Sequence, residues 1–250
     1  MDKRIGAQLY TLRDYCKTKE DLEETFKKLK SIGYKTVQLS AIGDIDPHDI
    51  RALCDKYELE PICTHKGYND YIDNLEGMIE YHKIIGCKIA GIGAMPESFR
   101  NPQGFKDFVK EFTPVCKAFR DSGLTFAYHN HGFEFMKDNG KFLMDTLVED
   151  SDFDFILDVY WLAFSGIDPA SFIKKIGKRA IVVHFKDLIV ENFSVTMSEV
   201  MEGNLNWDSI IAACEEAGCQ YAMVEQDVCK GNPFDSMKIS YDNLKTKGFC

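Results

Sequence analysis

AIVVHFKD, residues 180–187, is the stretch that decides how this chain is read. Ile181, Val182 and Val183 form a short β-branched apolar block, the composition of a strand covered on both faces in a parallel sheet. His184 and Lys186 follow two residues apart, so the period of a strand turns both to one side. Polar side chains leaving the C-terminal end of a parallel strand are where α/β folds carry their chemistry. Taken alone, such a histidine is equally a hydrogen-bonded rim residue, and the rest of the chain has to decide.

Outward from this stretch one unit recurs. Strands are expected at Arg4–Tyr10, Thr36–Leu39, Glu60–Thr64, Lys88–Ile92, Leu124–Tyr128, Phe153–Leu157, from Ala180, and at Tyr221–Val224. They alternate with helices at Lys19–Ser31, Pro47–Tyr57, Leu75–Ile85, Phe105–Ser122, Lys141–Glu149, Pro169–Ile176, Trp207–Ala217 and Pro233–Thr246. Gly33, Gly86, Gly123, Gly177 and Gly218 each stand between a helix and the next strand, where a left-handed residue reverses the chain. Eight such units in 250 residues predict an α/β fold, a single (β/α)8 TIM barrel over residues 1–250. The alternative, an open doubly wound sheet, normally announces a dinucleotide with GxGxxG after the first strand. Here that turn reads YTLRD, and GIGAMP at 91–96 is only a weak echo of the motif.

Composition bounds the partners. With 45% hydrophobic and 28% charged residues the chain is an ordinary globular one, long enough to bury roughly three-quarters of its unfolded surface. The net charge of −10 argues against a nucleic-acid or anionic-membrane surface. Nine cysteines, odd in number and without CxxC spacing, indicate reduced thiols rather than a disulfide framework or zinc knuckle. The N-terminal MDKRIGAQLYTLRD lacks an apolar segment, and no later run approaches membrane-span length. A cytoplasmic protein with a small-molecule partner, no nucleic acid and no membrane is expected; a homo-oligomer is compatible but not specified.

In a barrel the strand ends converge on one face. After the fifth strand comes YHNHGFEF, with His129, His131 and Glu134; after the sixth, Asp158; after the seventh, His184 and Lys186; after the eighth, Glu225 and Asp227. Carboxylates gathered in an enclosed site repel one another, and a divalent cation resolves the conflict. Glu134, Asp158, His184 and Glu225 would supply three oxygens and a nitrogen, a set that suits Mn²⁺, Mg²⁺, Co²⁺ or Zn²⁺. Gln38, His65 and His129 are candidates to bind substrate hydroxyls, with Trp161 and Phe164 as an apolar wall. His48 and His82 lie on helices and are expected to face solvent. Each of these residues alone is as well explained by capping or packing; their joint occurrence points to a site.

At these residues the chain resembles the xylose isomerase-like TIM barrel superfamily, specifically the sugar phosphate isomerase/epimerase group. The resemblance rests on YHNHGFEF (128–135), LDVYWLAFSGIDP (157–169), VHFKD (183–187), MEGNLNW (201–207) and VEQD (224–227), and spans essentially the whole chain. It implies a metal site at the C-terminal mouth formed by Glu134, Asp158, His184 and Glu225, with His131 replacing or supplementing Glu134, and a segment 201–207 folding over the site. The activity it implies is isomerisation or epimerisation of a sugar, sugar phosphate or keto-polyol by proton transfer beside a carbonyl through an enediolate. Glu225 and Glu134 would be base and conjugate acid, with His131 and Lys186 as helpers. Dehydration of an inosose-like keto-polyol begins with the same step. A non-catalytic carbohydrate-binding barrel and a metal-dependent hydrolase are the rival readings. No Gly-rich cradle supports a phosphorylated substrate.

Overall fold

The computed structural model describes residues 1–250, and in it the eight expected strands form and close on themselves. They are β1 (Ile5–Gln8), β2 (Thr36–Ser40), β3 (Glu60–His65), β4 (Ile89–Ile92), β5 (Thr125–His129), β6 (Asp154–Asp158), β7 (Ala180–Phe185) and β8 (Tyr221–Val224). All pair in parallel, and β1 closes on β8 with Ile5 opposite Ala222 and Ala7 opposite Val224. Closure removes the sheet edge.

The covering helices are α1 (Lys19–Ile32), α2 (Pro47–Tyr57), α3 (Leu75–Ile85), α4 (Pro102–Asp121), α5 (Leu143–Asp150), α6 (Pro169–Ile176), α7 (Trp207–Ala217) and α8 (Pro233–Lys245). Their limits follow from local chemistry. Thr18 caps α1 in a reciprocal box with Asp21, Asn101 caps α4 ahead of Pro102, and Gly86 and Gly218 end α3 and α7 in the left-handed conformation. On α4, Phe105, Phe108, Phe112 and Phe119 recur at helical spacing and are buried. Phe108 stacks on Phe112 at 4.3 Å and meets Tyr128 of β5 edge-on at 5.7 Å. Each such ring contributes about 1.5–3 kcal/mol when fully buried.

The apolar interior has two parts. The larger lies between barrel and helices; the smaller fills the barrel itself with Ile62, Ile89, Ile156, Ile181, Val182 and Met223. Gly6 makes room for Met223, since a Cβ there would stand 2.0 Å from its sulfur. This plug supports the mouth from below.

Several expectations are corrected. β5 runs on to His129 and β6 to Asp158, one residue beyond the expected ends. Residues 137–142 make a two-residue ladder around Asn139–Gly140, so α5 starts at Leu143 rather than Lys141. An unforeseen antiparallel hairpin pairs Asp187–Glu191 with Ser194–Ser198; its tip, Asn192 and Phe193, has φ of 48° and 62°, the mirror-image turn that suits hairpin twist. The segment 201–207, expected to fold over the site, gathers around Asp187 just past β7 and supplies no residue to the wall of the mouth cavity. The Val200 N–H donates to Ser240 on α8, and the Asp187 carboxylate accepts from the N–H groups of Met201, Gly203 and Leu205 and from the Trp207 indole. No helix is long and apolar enough to cross a membrane.

His48 is exposed as expected, but His82 is wholly buried between α3 and β3. Its Nδ1 donates to Met78 O at 2.7 Å, leaving Nε2 to accept from the Thr64 hydroxyl at 2.8 Å. Burial lowers its pKa to about 4. The folded pKa lies below that of the unfolded chain, so the unfolded state takes the proton first, and stability present above pH 6.5 is lost as pH falls through 4. Over that window wild type should lose about 3 kcal/mol of unfolding free energy that His82→Gln does not. Urea titrations of both proteins at pH 7, 5.5 and 4.5 check this, and parallel pH profiles would refute it.

Candidate functional site

Four strand ends meet at the mouth. Asp158, the last residue of β6, splits its carboxylate between two tasks. Oδ1 accepts from the N–H groups of Tyr160 (2.9 Å) and Trp161 (3.2 Å), capping the short helix Val159–Phe164. Oδ2 is left facing inward, 3.5 Å from His129 Nε2, 3.3 Å from Lys186 Nζ and 3.9 Å from His184 Nδ1.

His129 ends β5 and donates from Nδ1 to Gly93 O at 3.0 Å, so Nε2 turns inward as a bare nitrogen. His184 on β7 donates from Nε2 to Gln38 Oε1 at 2.7 Å, which leaves Nδ1 as the nitrogen that faces the cluster. Glu225, just beyond β8, accepts from Gln8 Nε2 on Oε1 at 3.1 Å and presents Oε2 at 2.8 Å from His184 Nδ1. The four residues are buried, and their donor atoms lie within 4.8 Å of one another.

Three of these atoms, His129 Nε2, Asp158 Oδ2 and His184 Nδ1, are buried with no hydrogen-bond partner. The short approach of His184 Nδ1 to Glu225 does not have hydrogen-bonding geometry. A buried unsatisfied polar atom costs about 1–3 kcal/mol. Three converging on one point, two imidazole nitrogens and a carboxylate oxygen, are the donor set of a borderline divalent cation. The cluster can hold a metal ion.

Lys186 stands beside it. Its ammonium lies 2.8 Å from Asp227 Oδ1, 3.3 Å from Asp158 and 3.4 Å from Glu225, and over the rings of Trp161 and Tyr160. Burial opposes its charge, but the three carboxylates more than offset this and hold it protonated. Burial likewise opposes the charges of Asp158 and Glu225, yet Lys186 and the facing imidazoles keep both pKa values well below the usual range. For His184 burial is again outweighed, by Glu225 and Asp158, and its pKa rises to about 9. Asp227 moves the other way, raised by burial and by the charge of Glu225.

Above the cluster opens a cavity of about 350 Å³, walled by Tyr10, Ser40, His65, Lys66, His129, His131, Lys186, Glu225 and Asp227. Its size suits a small polar ligand. His65 lies 4.8 Å from the His129 ring and 5.4 Å from that of His184; burial and these neighbours keep it neutral. His131 faces Trp161 at 5.5 Å, and burial, reinforced by His129, lowers its pKa to about 3.

Glu134 does not join the group. Its carboxylate accepts from the Tyr128 hydroxyl at 2.9 Å and the His131 N–H at 2.8 Å, on the helix-facing side of β5, and burial lifts its pKa to about 7. His129 occupies the strand-five position that Glu134 was expected to fill. Gln38 lies beneath the cavity against His184 rather than in its wall. Trp161 borders His131 and Lys186, with its Nε1 buried and unpartnered. Gln8 was missed, although it ends β1 as Gln38 lies on β2, with the two in register. Asp227, named with Glu225 after the eighth strand but given no role, holds the shortest contact to Lys186.

Residues 26–245 match the family described as xylose isomerase-like TIM barrel. No curated protein matches the chain. Among solved structures, a sugar phosphate isomerase/epimerase from Parabacteroides distasonis superposes with a TM-score of 0.80 at 20% identity, covering 100% of this chain and 96% of that one. The probable 3-DHS dehydratase AsbF from Bacillus anthracis gives 0.74 at 14% identity, covering 98% and 99%. The IOLI protein with a binding zinc atom gives 0.74 at 13% identity, covering 98% and 97%. At these identities the likeness is one of fold.

Added Zn²⁺ or Mn²⁺ should raise the melting temperature of the purified protein, by about 2.7 kcal/mol of stabilisation at a hundredfold excess over Kd. The increment should vanish in Asp158→Asn and His129→Phe and persist in Glu134→Gln. Differential scanning fluorimetry with and without chelator reads this directly; an increment kept in His129→Phe and lost in Glu134→Gln would restore the glutamate as ligand.

Proposed function

The chain belongs to the xylose isomerase-like TIM barrel family, and on that premise we propose that it is a divalent-metal-dependent isomerase or epimerase of a small sugar or keto-polyol, moving a proton at the carbon beside a carbonyl. The observation that carries this is the convergence of His129, Asp158, His184 and Glu225, three of their facing atoms unpartnered, at the floor of the mouth cavity. A bound Mn, Mg, Co or Zn ion would supply Lewis acidity toward neighbouring substrate oxygens.

The chain's own groups do the rest. Lys186, held protonated, faces the negative charge that develops on an enediolate and donates hydrogen bonds to it. Proton acceptors that reach the cavity are Glu225, Asp227 and the neutral His131. Lys186 touches both carboxylates, so a proton lifted by one is electrostatically offset by the same ammonium. Glu134, facing the helix layer, takes no part in this proposal. His65 and Trp161 would orient hydroxyl groups, His65 from the cavity wall and Trp161 from beside His131. Dehydration is the second reading. It needs the same first proton and then an acid for the departing hydroxyl, and Asp227, whose pKa is raised, would be such an acid; a probable dehydratase is among the structural relatives. All nine cysteines are free thiols, which supports a cytoplasmic setting.

Incubating ketoses and keto-inositols with the enzyme in D₂O should exchange the α-proton of at least one of them. Glu225→Gln should abolish that exchange with the far-UV spectrum unchanged, and Lys186→Met should slow it by about 100-fold or more. NMR loss of the α-proton signal is the readout, and formation of an enone chromophore separates dehydration from isomerisation. Exchange that survives Glu225→Gln at the wild-type rate would remove the mechanism.

A further inference from the structure

We propose that Gln38 and Gln8 are positioning residues. Gln38 fixes the His184 tautomer so that Nδ1 faces the four-ligand group, and Gln8 fixes the Glu225 carboxylate so that Oε2 does. The inference rests on the metal-site reading above.

Both amides are fully buried, on β1 and β2, and their Cα atoms are partners in register. Burying a primary amide costs about 1–3 kcal/mol without compensating hydrogen bonds, and the barrel interior below them is otherwise filled with apolar side chains. Gln8 is paired at both ends, whereas Gln38 Nε2 has no partner and the one hydrogen bond of that amide is the one its Oε1 makes. A carbonyl oxygen only accepts, so the 2.7 Å contact from His184 Nε2 to Gln38 Oε1 keeps a proton on Nε2 and makes Nδ1 the nitrogen whose proton is given up when the ring becomes neutral or takes a metal. With the amide reversed, its NH₂ would face the ring, Nε2 would have to accept, and the proton of the neutral ring would sit on Nδ1, toward Glu225 and Asp158. That tautomer cannot ligate.

Gln8 is oriented by the backbone. The Tyr10 N–H donates to its Oε1 at 2.9 Å, which turns Nε2 toward Glu225 Oε1 at 3.1 Å and His65 Nδ1 at 3.4 Å. One carboxylate oxygen is thereby occupied and the other left for the cluster. β1 and β2 contribute no ligand; through these amides they buttress two ligands carried by other strands.

The test uses the full chain as Gln38→Leu, Gln38→Glu and Gln8→Leu, with Gln38→Met as a near-isosteric substitute should the leucine variant fail to give a cooperative melt. Zn²⁺ affinity is measured by chelator competition, and the His184 tautomer by two-bond ¹⁵N–¹H correlation on metal-free, histidine-labelled protein above the ring's pKa of about 9, where it is neutral. Gln38→Leu and Gln8→Leu should each weaken Zn²⁺ binding about 10–100-fold. Gln38→Leu or Gln38→Met should also lose the Nε2–H signature. Gln38→Glu keeps an acceptor oxygen and should restore both. Wild-type affinity together with an intact Nε2–H signal in Gln38→Leu would overturn the Gln38 assignment, and wild-type affinity in Gln8→Leu that of Gln8. If wild type itself takes up no Zn²⁺, the functional reading and the Gln8 role fall, while the ¹⁵N spectrum still decides Gln38: an Nε2–H signal that persists without the amide refutes it.

Discussion

Three carboxylates and one ammonium share the mouth of this barrel. Asp158, Glu225 and Asp227 surround Lys186 where water has little access, which leaves two negative charges uncompensated. Like charges about 4 Å apart repel by about 4 kcal/mol at the effective dielectric of such sites. The chain alone can answer only with protons, and the raised pKa of His184 is that answer. A divalent cation answers it in full by taking the place of that proton, and His129 Nε2 and His184 Nδ1 already face the point where one would sit. The helix cap on Asp158, the amides on β1 and β2 and the apolar plug beneath are what hold so unfavourable a gathering in place.

The fold was legible because each strand is short, apolar and followed by its own helix, with a glycine at several of the returns. Asp158, His184 and Glu225 were legible for the same reason: each closes an apolar run, so strand period and strand end agree on where it points. Strand five is the instructive failure. Reading it as ending at Tyr128 pushed His129 into the loop and left the search for a carboxylate to settle on Glu134. Parity decides otherwise. Tyr128 meets Phe108 in the helix layer, so His129 points inward, and a shift of one residue exchanges the two faces.

Other features left no local trace. Gln38 and His184 are 146 residues apart, and Gln8 and Glu225 are 217 apart; a glutamine in an apolar strand says nothing about which distant group it will meet. His82 sits on a helix whose polar residues otherwise face water, and only its neighbours Thr64 and Met78 explain its burial. The hairpin at 187–198 was hidden because Leu188 and Val190 continue the apolar pattern of β7, while the reversal is made by Asn192–Phe193, a pair without glycine.

The plug inside the barrel also governs traffic. With Ile62, Ile89, Ile156, Ile181, Val182 and Met223 filling the interior below the ligands, no passage leads through the barrel from its far end. Whatever enters the cavity must leave by the aperture it came through. Departure and arrival therefore compete for one doorway, and a bound molecule obstructs its successor until it diffuses out.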